Sequence, residues 1–259
     1  MIKNAVKHHW SEGQQALNAW LSIGNTFTAE IMAEQGYDSV TIDLQHGALD
    51  YMVALPMIQA MRASGVVPIV RVPWNEPGII MKALDAGAYG IICPMVNSRT
   101  EAEALVSAMR YPPHGLRSYG PTRVAFAAGA NYGAEANDEI LAFAMIETAE
   151  AMANLTEIVT TPGLDAVYVG PSDLSIGITN GRLPAGLDRE EAEIVAAIKT
   201  ILDAAHKAGI KAAIHCASPE YAIRALEWGY DMVTVGSDAR LLASAAQASV
   251  AKVRQRLGG

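Results

Sequence analysis

The feature that most constrains this chain is an alternation, repeated eight times, between a short apolar run and a longer segment with helical spacing. The eight runs lie at 17–24, 39–44, 66–72, 89–95, 141–147, 164–170, 210–215 and 231–236. Strands that alternate with helices are typical of a parallel sheet covered by helices. Eight successive units predict a (β/α)8 TIM barrel of the α/β class, whose active site lies at the carboxyl ends of the strands.

Glycines mark the ends of several predicted helices, just before the next strand begins. They are Gly36, Gly65, Gly87, Gly209 and Gly229. Glycine suits the left-handed conformation that commonly ends a helix, so these positions support the boundaries of the repeating units. A doubly wound open sheet is the alternative fold. No GxGxxG motif follows the first strand, so nothing supports the dinucleotide site that such a sheet often carries.

Length and composition limit the classes of function. With 259 residues, of which 51% are hydrophobic, the chain can build one large core, and we predict a single domain over residues 1–259. The net charge of −8 and the lack of a basic cluster argue against nucleic acid as a partner. Neither a signal peptide nor an apolar run of about 18 residues is evident. We therefore expect a soluble cytoplasmic protein without a membrane span.

Two segments interrupt the regular rhythm. Residues 111–138, in the connection after the fourth strand, are rich in Pro and Gly and contain Arg117 and Tyr119. Long loops in compact domains are usually functional or disordered, so we expect either a loop that covers the site or a subunit contact. Residues 171–188, after the sixth strand, form the second interruption. The amino-terminal segment 3–13 is expected to form a helix that caps the bottom of the barrel.

The polar residues at the predicted strand ends include two carboxylates from adjacent strands. The full set is Trp20, Ser22, Asn25, Asp43, Gln45, His46, Arg71, Glu147, Ser172, Asp173, His215, Ser218, Ser237 and Asp238. Oxygen ligands such as Glu147 and Asp173 suit Mg²⁺ or Mn²⁺, with water or substrate completing the shell. Alternatively, Glu147 is a charge at a helix amino terminus and Asp173 is an N-cap. Their shared rim with Arg71 and His46 favours the metal site.

Arg71 and His46 are the other two candidates for chemistry at this rim. A guanidinium at a strand end is costly unless an anion meets it, and its fork fits a carboxylate or the oxygens of a keto acid. A structural ion pair is the alternative for Arg71. His46 follows Asp43 closely, and a carboxylate can fix the tautomer of an imidazole and raise its basicity. His215 lacks such a sequence neighbour and ranks below His46.

Missing residue types exclude other kinds of catalysis. None of the lysines falls at the carboxyl end of a predicted strand, since Lys211 is at the opposite end of the seventh, so a Schiff-base aldolase is disfavoured. No GxSxG elbow supports serine hydrolysis. The turn at 235–242 could hold a phosphate at a helix amino terminus, but the turn after the seventh strand is not Gly-rich. That composition weakens a phosphorylated sugar as substrate.

Several stretches, taken together, resemble a known family. They are "YDSVTIDLQHGALD", "PIVRVPWNEPGIIMKALDAGAYGIICPMVNSRTEAE", "YPPHGLRSYGPTR", "MIETAEAMANLTEIV" and "LDAVYVGPSDLSIGIT". In this order they resemble the class II pyruvate aldolases of the HpcH/HpaI family, from Trp20 to Ser237. The resemblance implies a barrel enzyme, dependent on Mg²⁺, Mn²⁺ or Co²⁺ with Zn²⁺ as a further candidate. It also implies reversible cleavage of 4-hydroxy-2-oxo acids to pyruvate and an aldehyde through a metal-bound enolate.

The resemblance also implies roles for individual residues and an assembly. Glu147 and Asp173 match metal ligands, Arg71 matches the arginine that holds the pyruvate oxygens, and His46 matches the catalytic base. Further matches are Asp43 as the partner of His46, Asp85 as an acid that reaches a neighbouring subunit's site, Gly170 and Ser172 as the turn that meets the pyruvate carboxylate, and Trp20 and Gln45 as substrate contacts. The implied assembly is a homohexamer, a trimer of dimers, with exchanged carboxyl-terminal helices.

Three positions depart from the family pattern. Gln45 stands where Glu is frequent, Met145 where Gln is frequent, and Ser118 where Gly follows the arginine. These departures leave the acceptor aldehyde open more than the type of reaction. The alternatives are a decarboxylase or a citramalyl-type lyase on the same scaffold, and a catalytically silent barrel that acts in binding or assembly.

Overall fold

Eight parallel strands form a closed barrel in a computed structural model that describes residues 1–257. The strands are β1 (Ala16–Leu21), β2 (Ser39–Asp43), β3 (Val67–Arg71), β4 (Gly90–Cys93), β5 (Leu141–Ile146), β6 (Ala166–Val169), β7 (Lys211–Cys216) and β8 (Met232–Val235). Each strand pairs in parallel with the next along the chain, and β8 pairs with β1. The predicted (β/α)8 barrel and all eight predicted strands are therefore confirmed.

Helices connect the strands and cover the outside of the barrel. They are α1 (Ala5–Ser11), α2 (Thr26–Ala33), α3 (Tyr51–Ala60), α4 (Pro77–Ala86), α5 (Arg99–Met109), α6 (Val124–Ala128), α7 (Tyr132–Glu139), α8 (Ala149–Ala153), α9 (Leu155–Val159), α10 (Pro171–Ile178), α11 (Ala192–Lys207), α12 (Pro219–Trp228) and α13 (Asp238–Leu257). A 3₁₀ turn, Met61–Ser64, follows α3. The five glycines predicted to end helices all have positive φ angles, as the left-handed conformation requires.

The core occupies both faces of the sheet. Every residue of β5 is buried, because α-helices cover one face and inward side chains from the other strands cover the second. On α11, the outer helix between β6 and β7, Ile194, Ile198 and Ile201 are fully buried and face the sheet. This two-sided burial explains why the strands read as continuous apolar runs rather than as alternating patterns.

Helix α1 closes the amino-terminal end of the barrel, as predicted. The Asn4 amide donates to the carbonyls of Tyr89 and Glu139, which lie just before β4 and β5. The Trp10 indole donates to the carbonyl of Asp231, just before β8. These hydrogen bonds attach the helix to three strand starts, so the opposite end remains available for a site.

The segment 111–138 differs from its prediction in both structure and position. It contains α6 and most of α7, and it joins the end of α5 to the start of β5, which places it at the amino-terminal end of the barrel. Its Arg117 side chain is fully buried, with Nη2 2.7 Å from Asp85 Oδ1 and Nη1 3.0 Å from the Tyr132 hydroxyl. It therefore does not cover the rim of its own barrel, and a subunit contact stays a prediction.

Helix α13 extends away from the barrel. Asp238 at its start is buried, whereas every residue from Arg240 to Leu257 is exposed, including Leu242 and Val253. An amphipathic helix with exposed apolar residues is what helix exchange between subunits requires, although the exchange itself stays a prediction. Among residues 1–257, no helix is both long and apolar enough to cross a membrane.

Candidate active site

One cavity at the carboxyl end of the barrel brings most of the sequence-predicted site residues together. Its lining comprises Trp20, Ser22, His46, Arg71, Met145, Glu147, Tyr168, Gly170, Pro171, Ser172, Asp173, Leu187, His215, Ser237 and Arg240. A more apolar cavity lies at the amino-terminal end, against Ile58, Met61 and Val67. Among residues 1–257 that second cavity has no acid and no imidazole in its lining, so the cavity at the carboxyl end is the candidate site.

Asp43 and Arg71 form a bidentate ion pair at this rim. The register of β2 and β3 places them directly opposite each other. Arg71 Nε lies 2.8 Å from Asp43 Oδ1, and Nη2 lies 2.6 Å from Oδ2. The Trp20 indole also donates to Oδ2, and the guanidinium carbon lies 4.7 Å from the Trp20 ring centroid. These contacts fix the direction of the guanidinium and leave it close to the cavity.

The Asp43 carboxylate remains ionised despite its burial. Burial raises the pKa of Asp43, but hydrogen bonds and attraction from Arg71 outweigh that effect and hold the pKa below its ordinary value. The structural alternative for Arg71, an ion pair with a strand-end acid, is thus present. The ion pair engages Nε and Nη2 of Arg71, and a role toward a substrate anion stays a prediction.

The structure corrects the predicted relation between Asp43 and His46. Asp43 Oδ1 accepts the main-chain N–H groups of Gln45 and His46, at 3.1 and 3.2 Å, and within residues 1–257 the imidazole has no hydrogen bond to this carboxylate. Arg71 occupies the carboxylate instead, because the strand register holds it opposite. The His46 ring is exposed at the cavity, so its role as base stays a prediction. Gln45 is half-buried and does not line the cavity.

Glu147 is a buried carboxylate with few compensating contacts. It directly follows β5, is only 3% exposed, and accepts one hydrogen bond at Oε1 from the main-chain N–H of Met95, at 2.8 Å. Desolvation raises the pKa of Glu147 to about 7, with a smaller contribution from the charge of Asp173, while the Met95 N–H opposes the shift. Met95 itself has a φ angle of +55°, an uncommon conformation for a non-glycine residue and one that clusters at active sites.

Gly170 lets the chain pass close to this carboxylate. Its φ angle is negative, so conformational freedom does not explain the glycine. A Cβ atom at this position would lie 2.4 Å from Glu147 Oε2 and 3.0 Å from the Met145 methyl group. Gly170 is also the N-cap residue of α10, whose first turn contains Ser172 and the exposed Asp173, both at the cavity. The close approach therefore brings the start of α10 to Glu147.

The donor set fits a divalent cation. A buried carboxylate with a raised pKa, beside a second carboxylate, gains stability when a cation neutralises the pair. Among residues 1–257, no cluster of three or more His, Cys, Asp and Glu side chains could hold a metal ion. A metal here would therefore rely on Glu147 and Asp173, with water or substrate oxygens as its other ligands. Such partly open oxygen coordination is typical of Mg²⁺.

Asp85 is a predicted catalytic residue that the barrel does not bring to the cavity. It lies in the last turn of α4, at the amino-terminal end, where it accepts a hydrogen bond from the buried Arg117. Its side chain is 27% exposed, so it remains accessible from outside the barrel. Its predicted role concerned the site of a neighbouring subunit, and that role stays a prediction.

Several cavity residues were not singled out from the sequence. Tyr168, Leu187 and Arg240 line the cavity, and His215 contributes more contacts than its low rank suggested. The signal for Tyr168 was its place two residues before Gly170, since alternate strand residues face the same side. Arg240 had no comparable signal, because it lies on a helix after the last strand.

Asp238 serves the fold, since it accepts the main-chain N–H groups of Ser22 and Ile23.

Comparisons with known proteins agree with this site. The family model described as "HpcH/HpaI aldolase/citrate lyase" matches residues 17–245. The chain belongs to this family. It is accordingly a carbon–carbon lyase, and the family resemblance found in the sequence is confirmed.

Two curated relatives cover almost the whole chain. A hydroxypyruvate/pyruvate aldolase of Rhizorhabdus wittichii is 44% identical over 251 residues, which are 97% of this chain and 99% of the relative. A 4-hydroxy-2-oxo-heptane-1,7-dioate aldolase of Salmonella newport is 36% identical over 264 residues, covering 100% of this chain and 98% of that protein. This HpcH/HpaI family member is thus similar over its full length to proteins named as aldolases of 2-oxo acids.

Solved structures of the family have the same fold. A family protein from Burkholderia cenocepacia superposes with a TM-score of 0.88 at 29% identity, covering 97% of this chain and 99% of that one. The citrate synthase SbnG also has a TM-score of 0.88, at 28% identity, with 99% and 100% of the two chains covered. The same barrel therefore also occurs in a protein named as a citrate synthase.

Proposed function

We propose that this family member is a divalent-metal-dependent aldolase that reversibly cleaves 4-hydroxy-2-oxo acids to pyruvate and an aldehyde. The observation that carries the proposal is the buried Glu147 carboxylate, which has one hydrogen bond and a pKa raised to about 7 beside Asp173. A neutral or undercompensated acid at a barrel rim is costly and indicates function. The names of the two curated relatives support the same type of reaction.

Glu147 and Asp173 would hold the metal ion in this proposal. When bound, a divalent ion supplies Lewis-acid polarisation of the substrate's 2-oxo group. Mg²⁺, Mn²⁺ and Co²⁺ are the proposed ions, with Zn²⁺ as a further candidate. The start of α10, at Gly170 and Ser172, would meet the substrate carboxylate, because main-chain N–H groups at a helix amino terminus attract anions.

Arg71 would stabilise the charge that develops as the C3–C4 bond breaks. Its Nε and Nη2 atoms bond to Asp43, which leaves Nη1, within the described part of the chain, free for a substrate oxygen. Because Asp43 and Trp20 already fix the guanidinium, no reorganisation is needed when negative charge appears on the enolate oxygen. The arginine thus provides a fixed positive charge rather than a mobile one.

His46 would act as the general base. In the cleavage direction the imidazole accepts the proton of the C4 hydroxyl, the C3–C4 bonding electrons move into the enolate, and the aldehyde leaves. Protonation at C3 by solvent then yields pyruvate. In the addition direction the protonated His46 returns its proton to the new alkoxide. Its exposed position at the cavity is suitable for contact with the aldehyde end of the substrate.

The test is pyruvate release from a panel of 4-hydroxy-2-oxo acids, with and without EDTA. We expect EDTA to abolish activity and Mg²⁺, Mn²⁺ or Co²⁺ to restore it. Activity that survives complete metal removal would contradict the metal role. Treatment with borohydride in the presence of pyruvate should leave no covalent adduct, because, within residues 1–257, no lysine lines the rim cavity to form an imine.

A second candidate is a related reaction on the same scaffold, such as decarboxylation or a citramalyl-type cleavage. The observation that favours it is the full-length similarity to a structure named as a citrate synthase. Oxaloacetate and a citramalyl thioester added to the substrate panel distinguish the reactions. Release of CO₂ or acetyl thioester faster than aldol cleavage would support this second candidate.

We also propose a homohexamer in which α13 is exchanged between subunits. The exposed apolar residues Leu242, Val250 and Val253 support an interface on this helix. Light scattering coupled to size-exclusion chromatography is the direct measurement. We expect six times the 27.4 kDa chain mass for the whole protein, and a smaller species after Leu242 and Val253 are changed to Asp.

A further inference from the structure

The second interruption of the β/α rhythm lies at the rim that carries the cavity. Residues 179–191 join α10 to α11 without a helix or strand. Because α10 follows the carboxyl end of β6 and α11 leads back along the outside of the barrel to β7, this connection lies at the carboxyl end, unlike 111–138. One of its residues, Leu187, is half-buried and lines the cavity together with Arg71 and Glu147. The connection therefore supplies part of the cavity wall.

Asp188 fastens this connection to the end of β7. Its Oδ1 atom accepts the main-chain N–H of Ala217 at 2.7 Å. Its Oδ2 atom accepts the main-chain N–H and the hydroxyl of Ser218, at 2.9 and 2.6 Å. Ala217 directly follows β7, and Ser218 is the N-cap residue of α12. One carboxylate thus joins the connection to a different strand end through three hydrogen bonds, of the strong kind that an ionised acceptor makes.

The backbone conformation of Asp188 indicates that these hydrogen bonds hold the chain firmly. The φ angle of Asp188 is +53°, in the left-handed region that non-glycine residues seldom adopt. Such conformations persist where the surrounding contacts over-determine them. The hydrogen bonds to Ala217 and Ser218 are contacts of this kind. Because Leu187 directly precedes Asp188, the same contacts fix where Leu187 leaves the backbone at the cavity.

Arg189 braces the chain on the other side of Leu187. Its Nη1 atom lies 3.2 Å from the carbonyl of Pro184, and a Cβ atom at Gly186 would lie 2.6 Å from the same nitrogen. The chain therefore folds closely over the guanidinium just before Leu187. The buried Tyr221 of α12 donates its hydroxyl to the Arg189 carbonyl at 2.8 Å. Leu187 is thus held between anchored points, and it forms a fixed part of the cavity wall.

We propose that Leu187 is a specificity-determining residue that contacts an alkyl group of the substrate, and that Asp188 is the positioning residue that holds it there. Leu187 offers only apolar surface, in a cavity whose other residues include acids, arginines and imidazoles. A substrate carbon that packs on this side chain is removed from water, which favours binding. Each methylene or methyl group buried in this way favours binding by about fourfold. The identity of the substrate rests on the proposed aldolase function.

The alkyl group has two possible sources, the 2-oxo acid and the aldehyde. 2-Oxobutanoate carries a methyl group that pyruvate lacks, and propanal carries one that acetaldehyde lacks. A contact with one part of the substrate changes the preference within the pair that differs at that part. The two pairs therefore identify which part of the substrate meets Leu187.

Kinetics of Leu187→Ala in the addition direction test the contact itself. The preference is the ratio of kcat/KM for the longer compound of a pair to kcat/KM for the shorter one. It should fall about fourfold in at least one pair, mainly through KM, because Leu187 contacts substrate carbon rather than the reacting atoms. A preference that is unchanged or rises in both pairs would overturn the assignment of Leu187.

Asp188→Gly tests the positioning role, because glycine adopts the left-handed conformation without strain but offers no side-chain acceptor. It should lower the same preference as Leu187→Ala, and the double variant should lower it no further, since both changes remove one contact. Asp188→Asn should recover most of the preference, because asparagine tolerates this conformation and keeps one acceptor oxygen. Additive losses in the double variant, or equal losses for both members of each pair, would indicate a merely structural role and contradict the proposal.

Glu190→Gln is the matched control on the same connection. Glu190 pairs with Arg224 of α12, with Nη1 at 2.5 and 2.7 Å from the two carboxylate oxygens. Its side chain is 65% exposed, and exposed ion pairs contribute little. This variant should keep the wild-type preference in both pairs. A loss equal to that of Asp188→Gly would mean that any loosening of the connection has the same effect, which would contradict the assignment to Asp188.

Methyl NMR of the whole protein, labelled with ¹³C in the leucine methyl groups, separates this inference from the aldolase function. The Leu187 signals are those missing in Leu187→Ala. With Mg²⁺ present, either 2-oxobutanoate, or propanal together with oxalate as an unreactive substitute for pyruvate, should move them, and Asp188→Gly should abolish this response. The measurement needs no turnover, so a wild type without aldol cleavage would contradict only the proposed function. Leu187 signals that move with neither compound would overturn the inference.

Discussion

The two ends of the barrel differ in how far their buried acids are compensated by basic side chains and main-chain donors. At the amino-terminal end, Asp165 Oδ2 accepts from Arg110 Nη2 at 2.5 Å and from the Ala142 N–H at 2.8 Å. Asp231 accepts from Lys211 Nζ and His206 Nε2, both at 2.8 Å, and also from the N–H of Ala212. Each of these acids has a basic side chain and a main-chain donor. Their partial burial is therefore compensated within the fold.

At the carboxyl end, the acids are divided between a paired and an unpaired set. Asp43 has Arg71, but Glu147 has one main-chain N–H and a neighbouring acid, and its pKa is raised to about 7. The amino-terminal acids are thus compensated by side chains and main-chain donors, whereas Glu147 has one main-chain donor beside a second acid, a difference typical of functional sites.

The largest effect is expected where the two ends differ most, at Glu147. Glu147→Gln keeps the shape of the side chain and its contact with the Met95 N–H but removes the charge. We expect aldol cleavage to fall at least about a hundredfold, because the proposed metal loses a ligand. The free energy of unfolding in EDTA should be unchanged or higher, since a poorly compensated buried acid is gone. Steady-state kinetics and urea unfolding measure the two effects.

Asp173→Asn, at the exposed second carboxylate, is the companion variant. It should also weaken metal binding, measured by calorimetry, with little effect on unfolding because its side chain is exposed. Wild-type activity in either variant would contradict the assignment of the pair. A large loss of stability in Glu147→Gln without metal would mean that the carboxyl end is built like the amino-terminal end.

The second prediction concerns an acid at the amino-terminal end, where we expect stability to fall and activity to stay nearly constant. Asp165→Asn breaks the pair with Arg110, whose side chain is only 5% exposed, and leaves that guanidinium without a counter-charge. We expect the free energy of unfolding to fall by about 3 kcal/mol, the lower end of the range for breaking a buried pair. Activity per folded molecule should be nearly unchanged. Loss of activity beyond the loss of folded protein would contradict the separation of the two ends.

The sequence predicted the barrel well because its signals are local. Apolar runs, helical spacing and helix-ending glycines such as Gly87 and Gly229 each lie within one β/α unit. The same alternation of apolar run and helical segment occurs in all eight units. The rim residues followed from one topological rule, that the carboxyl ends of parallel strands meet. That rule alone is enough to predict Arg71, Glu147 and Asp173 in one cavity.

What the sequence could not predict depends on contacts between distant residues. Asp43 and His46 are close in sequence, yet Asp43 bonds to Arg71, which lies opposite only through the register of β2 and β3. The link from Tyr168 to His215 joins β6 to β7 by the same kind of cross-strand geometry. Segment 111–138 lies at the amino-terminal end because it comes after the outer helix α5 rather than before it. The sequence does not specify this order well, because helix boundaries near Pro/Gly-rich stretches are weakly defined.

The third effect concerns the paired acid at the carboxyl end. Asp43→Asn removes the counter-charge of Arg71, and we expect a loss of about 2 kcal/mol in the free energy of unfolding at pH 7. Because the pKa of Asp43 is lowered in the folded state, its contribution is present above the ordinary carboxyl value and is lost as the pH falls through the folded pKa. The wild-type advantage should therefore shrink below about pH 4.

Urea unfolding of both proteins across this pH range gives the difference curve. Asp50→Asn, at the helix cap seven residues later in the chain, is a control for general effects of acid, since its recorded contact is with the start of α3. A wild-type advantage that stays constant down to pH 3 would contradict the ion pair as the source of the shift. Activity of Asp43→Asn at pH 7 should also fall, because the guanidinium loses its fixed direction.

The smallest predicted effect comes from replacing a glycine at the site, and it is compared with the same replacement at an exposed glycine elsewhere. Gly170→Ala adds a methyl group whose carbon would lie 2.4 Å from Glu147 Oε2, so the carboxylate or the start of α10 must move. We expect activity to fall about tenfold, since small displacements of a positioned group are costly to catalysis. Stability should change by less than about 1 kcal/mol if the Met145 methyl gives way.

Gly78→Ala is the matched control, because an added Cβ would meet no atom within 4 Å and the residue sits on the exposed side of α4. Alanine favours a helix over glycine by roughly 1 kcal/mol, so this variant should be slightly more stable and fully active. If both variants behaved alike, the close approach of Gly170 to Glu147 would have no bearing on the chemistry. A selective loss in Gly170→Ala would instead show that the carboxyl end depends on the placement of one carboxylate, whereas the amino-terminal end depends on pairing its charges.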